Sequence, residues 1–275
     1  RCSRDWSSDV CSSDLSLKLL AENNLAGFRT PEACADAIRA WCDWVAPAEM
    51  PAPDTARLNA ATALLKSMPG KTVNEYDACR VFGALGIAPA QSEVITDAAQ
   101  KTTVGFPVVA KILSPDILHK TDAGGVALNI ADATQLAATA KQILERIGKS
   151  HPQAKLNGVL VHRMEKGLAE VILGFRRDPQ VGPAVVLGVG GILAEIYKDI
   201  AIRLAPVDLD TARGMVEEVR GLAVIRGYRG LPRGDCEALA KAVAAMSQLA
   251  CLPGRAVAEA EINPLIVKAE GQGVV

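Results

Sequence analysis

GFPVVAKILSPDILHKTDAGGV, residues 105–126, joins an apolar strand to a polar loop that ends on two glycines. The first half, GFPVVAKIL (105–113), is a strand core interrupted by one lysine, Lys111. Burying an ammonium is costly unless an anion meets it. Lys111 therefore either reaches water from an edge strand or holds an anionic ligand. The second half, SPDILHKTDAGGV (114–126), carries His119 and Lys120 ahead of Gly124 and Gly125. Glycines let a backbone approach a ligand closely, and successive amides form an anion-binding nest. A neutral imidazole is a nucleophile for phosphoryl groups near neutral pH. Lysine on a strand, then His-Lys in a glycine-ended loop, suggests phosphate handling. A surface histidine is the plainer alternative.

Outward from this stretch, strands and helices alternate. Thr72 and Glu75 have the spacing of a capping box before a helix with Val73, Tyr76, Cys79 and Phe82 on one face, ended by Gly86. A strand around Glu93–Ile95, a short helix near 98–102 and the strand at 107–112 follow. Asp132 and Gln135 make a second capping box, and Leu136, Ile143, Leu144 and Ile147 line that helix. Strands are expected at 158–162, 169–174, 184–188 and 260–267, with helices at about 208–220 and 235–250. This mixture predicts an α/β or α+β domain.

The 275 residues are 49% hydrophobic and 22% charged, ordinary for a folded chain with a real core. A net charge of -1 gives no pull toward nucleic acid or anionic membrane, and 4% aromatics argues against base-stacking platforms. Seven scattered cysteines without a C-x-x-C pair read as reduced thiols in a cytoplasmic protein. No stretch has the roughly 20 apolar residues of a membrane helix.

Residues 1–15, RCSRDWSSDVCSSDL, lack strand or helix periodicity and resemble a translated sequencing adapter, hence a non-native segment. Within 16–46, a strand or turn around Phe28 precedes a helix from Thr30, with Pro31 at its first position. Ala33, Ala37, Ile38, Trp41 and Trp44 lie near one face, which must pack on something. Three prolines in APAEMPAPD (46–54) mark a linker, taken as 47–70, before the main domain at 71–275.

Three further stretches carry candidate chemistry. GVLVHRMEKGLAEVILGF (158–175) breaks two strands at a polar hinge, where backbone near Met164 pairs with an adenine edge and Glu165 holds ribose, or which is an ordinary hairpin. LGVGGILAEIYKDIAIRLAPV (187–207) places Gly190 and Gly191 at a strand end. In the same stretch Arg203 is either a phosphate clamp or a surface ion pair. His151 and His162 have no such surroundings and read as structural or exposed. In AEINPLIV (260–267), Glu261 and Asn263 sit two apart on a strand, about 6–7 Å along one face. A carboxylate and an amide oxygen suit Mg²⁺.

In this order, the stretches resemble the ATP-grasp domain of the NDP-forming (ADP-forming) acyl-CoA synthetases, the acetate–CoA ligase family related to the succinyl-CoA synthetase beta subunit. The likeness runs from about Thr72 to Val275. AGFRTPEACADAIRAW (26–41) also resembles the last strand and helix of the flavodoxin-like CoA-ligase domain, so 16–46 would be its remnant. The resemblance implies an ATP-grasp fold of two α/β subdomains with the nucleotide between them. It implies ATP/ADP and Mg²⁺ as cofactors, Lys111 on nucleotide, His119 as phosphoryl relay, and Glu261 and Asn263 as metal ligands. Gly190, Gly191, Arg203, Met164 and Glu165 would border the nucleotide. The activity implied is acyl-CoA + ADP + phosphate = carboxylic acid + CoA + ATP through phosphohistidine. The CoA-binding and CoA-ligase domains of the same polypeptide would be the partners, and a homo-oligomer is compatible with this. The family continues past GQGVV to an aspartate of the metal site, so weak nucleotide binding and an incomplete reaction are expected of this chain. The alternatives are a synthetase-like regulatory module of a protein lysine acetyltransferase and the beta subunit of a two-chain synthetase.

Overall fold

A computed structural model describes residues 6–44, 49–68, 70–97, 100–117, 120–191 and 199–275, with backbone alone at 6–13 and 255. The chain divides into two compact units, Arg1–Glu49 and Met50–Val275.

The first unit holds helices α1 (Trp6–Glu22) and α2 (Pro31–Cys42). α1 takes in residues 6–15, which have no helical periodicity. Beyond them the helix-favouring Leu, Lys, Ala and Glu of residues 17–22 propagate it, and Leu15 and Leu19 stay exposed. α2 begins as its sequence predicts: the Thr30 side chain accepts from the Ala33 N–H and Pro31 opens the helix. Phe28 lies in irregular backbone. No residue of α2 is buried, and Ile38, Trp41 and Trp44 are exposed.

In the second unit, helix α3 (Thr55–Ser67) replaces most of the linker expected at 47–70. Asp54 caps it, and Leu58, Ala61, Leu65 and Met68 recur at helical spacing toward the larger core. The prolines govern only the approach to this helix. Helix α4 (Glu75–Leu85) packs beside it, burying Val81, Phe82 and Leu85, and Gly86 ends it in the left-handed conformation. Its cap is Asn74, not Thr72. Asn74 Oδ1 accepts from the Asp77 N–H at 2.9 Å, and Asn74 Nδ2 donates to the Asp77 carboxylate. Glu75 is thereby left out of the capping box.

The first sheet contains β1 (Ser92–Ile95), β2 (Val108–Leu113), β3 (Val126–Ile130) and β4 (Gly158–Arg163) in the order β1-β4-β2-β3, all antiparallel. Helix α5 (Ala133–Ser150), capped by Asp132, buries Leu136, Ala140, Ile143 and Ile147 in the core formed by Val108, Ala110, Ile112, Val159 and Val161. Alternation then sends Val109, Lys111 and Leu113 to the opposite face, beside their partners His162, Leu160 and Gly158. The expected helix near 98–102 is absent over 100–103, and Ala98 and Ala99 lie outside the described residues.

The second sheet contains β5 (Ala169–Asp178), β6 (Gly182–Val189), β7 (Ile200–Leu204) and β8 (Glu259–Val267) in the order β7-β6-β5-β8, again antiparallel. Val171, Leu173, Phe175, Val185, Leu187 and Leu265 face a helical layer of α3, α4, α6 (Leu209–Glu218) and α7 (Cys236–Ser247). Strand β7 emerges where the sequence reads as an amphipathic stretch. As an edge strand it buries Ala201 and leaves Ile200, Ile202 and Leu204 exposed on the other face. Antiparallel pairing throughout makes this the α+β version of the expected class.

The five cysteines described in full are free thiols, as their spacing suggests. No described helix is long and apolar enough to cross a membrane.

Leu58 is 7% exposed in the larger core. Leu58→Ala should cost roughly 2–5 kcal/mol in urea unfolding, as for other buried leucines. A linker position would lose almost nothing.

Candidate functional site

Lys111 is the one partly exposed residue in the six of β2. Its Nζ donates to Glu75 Oε1 at 2.8 Å. Lys120, from the loop after β2, reaches Oε2 of the same carboxylate. Two ammonium groups from different elements thus converge on one acid supplied by the first turn of α4.

The loop is built to deliver Lys120. On its upstream side, Ile117 enters the first-sheet core and Asp116 Oδ2 accepts from the Lys155 N–H at 2.7 Å. Downstream, the Gly125 N–H donates to the Lys120 carbonyl at 2.7 Å and the Gly125 carbonyl accepts from the Ile112 N–H at 2.7 Å. A Cβ on Gly125 would stand 2.5 Å from the Ile112 side chain, so only glycine permits this closure. His119, the proposed relay, lies outside the described residues, as do residues 192–198 of the second glycine stretch.

The electrostatics of the cluster follow from partial burial. Burial pushes the Glu75 carboxyl up, but Lys111 and then Lys120 outweigh it and bring its pKa to about 2. The Cys79 thiol, one turn along α4, is pushed up by burial and then by Glu75, so it is protonated and no thiolate nucleophile. His162 belongs to the same face, opposite Val109 and two positions from Lys111 in the ladder. Burial first, and then the Lys111 charge, lower its pKa, and its Nε2 is buried without a hydrogen-bond partner. Sequence reading treats His162 as structural or exposed. Its alternation with Leu160, directly across from Lys111, is the signal that would have placed it on the site face.

The remaining candidates are distributed as follows. The Met164 N–H donates to the Pro107 carbonyl at 3.0 Å, which pins the hinge after β4 to the start of β2. Glu165 is ion-paired with Lys268 at 2.9 Å. Gly190 donates to the Glu170 carbonyl at 2.8 Å, in a contact where a Cβ would collide with that same carbonyl, and Gly191 follows with φ +90. The Arg203 guanidinium is ion-paired with Glu218. Glu261 and Asn263 do share a face of β8, since Asn263 Nδ2 donates to Glu261 Oε1 at 3.2 Å. They stand on the second sheet, and Lys111 on the first.

Glu261 and Asn263 fit a hard divalent cation. They offer one carboxylate and one amide oxygen, a set that leaves most Mg²⁺ positions to water and phosphate oxygens. Among the described residues no group of three or more His, Cys, Asp or Glu could cage a metal by itself.

A family model described as an ATP-grasp domain matches residues 65–275. The chain is 39% identical over 173 residues to an ADP-forming acetate–CoA ligase I of Archaeoglobus fulgidus, covering 63% of this chain and 25% of that protein. It is 36% identical over 205 residues to the beta subunit of acetate–CoA ligase II of Pyrococcus furiosus, covering 73% of this chain and 87% of the subunit. The chain thus spans a quarter of the single-chain relative and most of the separate subunit. Among solved structures, the dinucleotide-forming acetyl-coenzyme A synthetase 1 of Ca. Korarchaeum cryptofilum superposes with a TM-score of 0.68 at 30% identity, in its complex with coenzyme A and Ca-AMPCP. That match covers 74% of this chain and 89% of the other. The same enzyme with Mg-AMPPCP, its phosphohistidine segment pointing toward the nucleotide site, gives 0.66 at 29% identity, covering 78% and 95%.

His162 yields a pH signature. Its pKa is lowered on folding, so the folded state takes up this proton less readily than the unfolded chain. The associated stability is complete above the ordinary value of 6.5 and is lost as the pH falls below it. Thermal unfolding of His162→Phe should therefore show a shallower pH dependence than wild type between about pH 5 and 7.

Proposed function

The chain belongs to the ATP-grasp domain family, and we propose that it is the nucleotide-binding, phosphoryl-transfer half of an ADP-forming acyl-CoA synthetase. The observation that carries this reading is the convergence of Lys111 and Lys120 beside the glycine-closed loop that bears His119. Phosphoryl transfer demands positioned positive charge more than elaborate acid–base chemistry, and this cluster offers it in a half-buried setting.

In the direction that consumes ATP, Lys111 and Lys120 hold the phosphate chain and offset its charge. A neutral His119 ring nitrogen forms the N–P bond as the bond between the γ-phosphorus and the bridging oxygen breaks, leaving ADP. The reverse sequence makes ATP. The hinge at Met164 and Glu165 borders the base and ribose, and the close Gly190–Glu170 contact lets the β6 end approach the phosphates. Glu261 and Asn263 would hold Mg²⁺, which neutralises charge on the transferring phosphates when bound. Arg203, engaged by Glu218, stays outside this set unless that pair opens.

The acyl and CoA chemistry belongs to CoA-binding and CoA-ligase domains. These would be partners in the same polypeptide or on a separate subunit; this chain spans 25% of the Archaeoglobus ligase and 87% of the Pyrococcus beta subunit. The acyl group is set by those domains. The named relatives are CoA ligases, and nothing in them favours the acetyltransferase-module reading.

Incubation with Mg²⁺ and ATP radiolabelled at the γ-phosphate should place an acid-labile, alkali-stable label on the chain. His119→Ala should abolish the label, and EDTA should prevent it. A label that survives in His119→Ala sinks the relay. Lys111→Ala should weaken ATP binding about tenfold or more, the loss of a charge-assisted contact to phosphate, as read by calorimetry.

A further inference from the structure

We propose that Glu75 is a positioning residue of the phosphate centre: its single carboxylate holds the Lys111 and Lys120 ammonium groups side by side for one anionic group of the ligand. The inference rests on the nucleotide reading above.

The geometry is specific to a carboxylate. Oε1 takes Lys111 at 2.8 Å and Oε2 takes Lys120. Each ammonium has three donors and gives one to Glu75, which leaves two on each for a ligand. The three side chains are 30%, 24% and 17% exposed for Glu75, Lys111 and Lys120, so one side of the cluster stays open. Two cations and one anion leave a net charge of about +1, with His162 kept neutral beside them. An anionic ligand completes that balance without displacing Glu75.

The support behind Glu75 is rigid. Its helix is capped by Asn74 and anchored by Val81, Phe82 and Leu85 in the second-sheet core. Lys111 rides on a first-sheet strand, and Lys120 on the loop. Without the acid, two flexible lysines would repel each other and pay side-chain entropy to meet a phosphate. Glutamine offers one acceptor oxygen, and its amide group would face the second ammonium. Aspartate keeps the charge on an arm one methylene shorter.

The test is calorimetric titration of the full chain with Mg-ATP, and separately with inorganic tripolyphosphate, alongside thermal melts. Glu75→Gln should bind both ligands about tenfold more weakly, the equivalent of one charge-assisted hydrogen bond, and Glu75→Asp should recover part of the loss. Unchanged or tighter binding by Glu75→Gln would make Glu75 a competitor of phosphate and overturn the proposal. A loss in Glu75→Gln that tracks a fall in melting temperature, with Glu75→Asp binding no better than Glu75→Gln, would make the role structural and overturn it as well. Wild-type protein that binds neither ligand would refute the nucleotide reading itself, and this inference with it.

Discussion

Two lysines cannot share a half-buried site without an anion between them. In this chain the anion is Glu75, and much of the second unit is arranged around that requirement. Strand β2 must pair on both sides to carry Lys111 to the face away from α5. The loop must close through Gly125 to return Lys120 to the same place. Helix α4 must be capped at Asn74 and seated in the other core so that its first turn points at both. Desolvation alone would raise the pKa of this carboxyl, but the paired ammonium groups outweigh it and keep it ionised.

Each sheet spends one face on a hydrophobic core and keeps the other for chemistry. In β2 period-two alternation does this by itself, and in β8 an irregularity in the pairing with β5, between Val171 and Leu173, resets the alternation between Ile262 and Leu265. Ala110 and Ile112 go to α5 while Lys111 goes the other way, and Leu265 and Val267 go to the helical layer while Glu261 and Asn263 keep polar groups accessible. Antiparallel sheets tolerate this division because only one face must be buried. The exposed Ile200, Ile202 and Leu204 of β7 belong to such an open face.

Local signals were readable where a residue type answers a local need. Thr30 with Pro31, Asp132 with Gln135, and Gly86 marked helix ends correctly because capping involves neighbours within one turn. The strands expected around 93–95, at 107–112 and at 158–162 match β1, β2 and β4, the last two as apolar runs. Helix α3 was hidden by the prolines before it, although its 3–4 spacing of apolar residues was present. Strands β3 (VALNI) and β7 (IAIRL) are five-residue edges, and an apolar run that short fits a helix segment as well as a strand. The cap of α4 was misassigned because Thr72-x-x-Glu75 and Asn74-x-x-Asp77 both fit the pattern, and only the starting point of the helix separates them.

By itself, the sequence singled out the candidate residues: Lys111 in an apolar strand, His119 and Lys120 in a glycine-ended loop, Glu261 and Asn263 two apart on a strand. Those are departures from local pattern, and local pattern is what a sequence displays. Only the tertiary structure decided what Lys111, Lys120, Glu261 and Asn263 meet. Glu75 lies 36 residues from Lys111 and 45 from Lys120, and His162 lies on another strand. No propensity or spacing encodes such separations. They come from sheet order and core packing, which bring a helix cap, a strand and a loop to one half-buried point where their charges must balance.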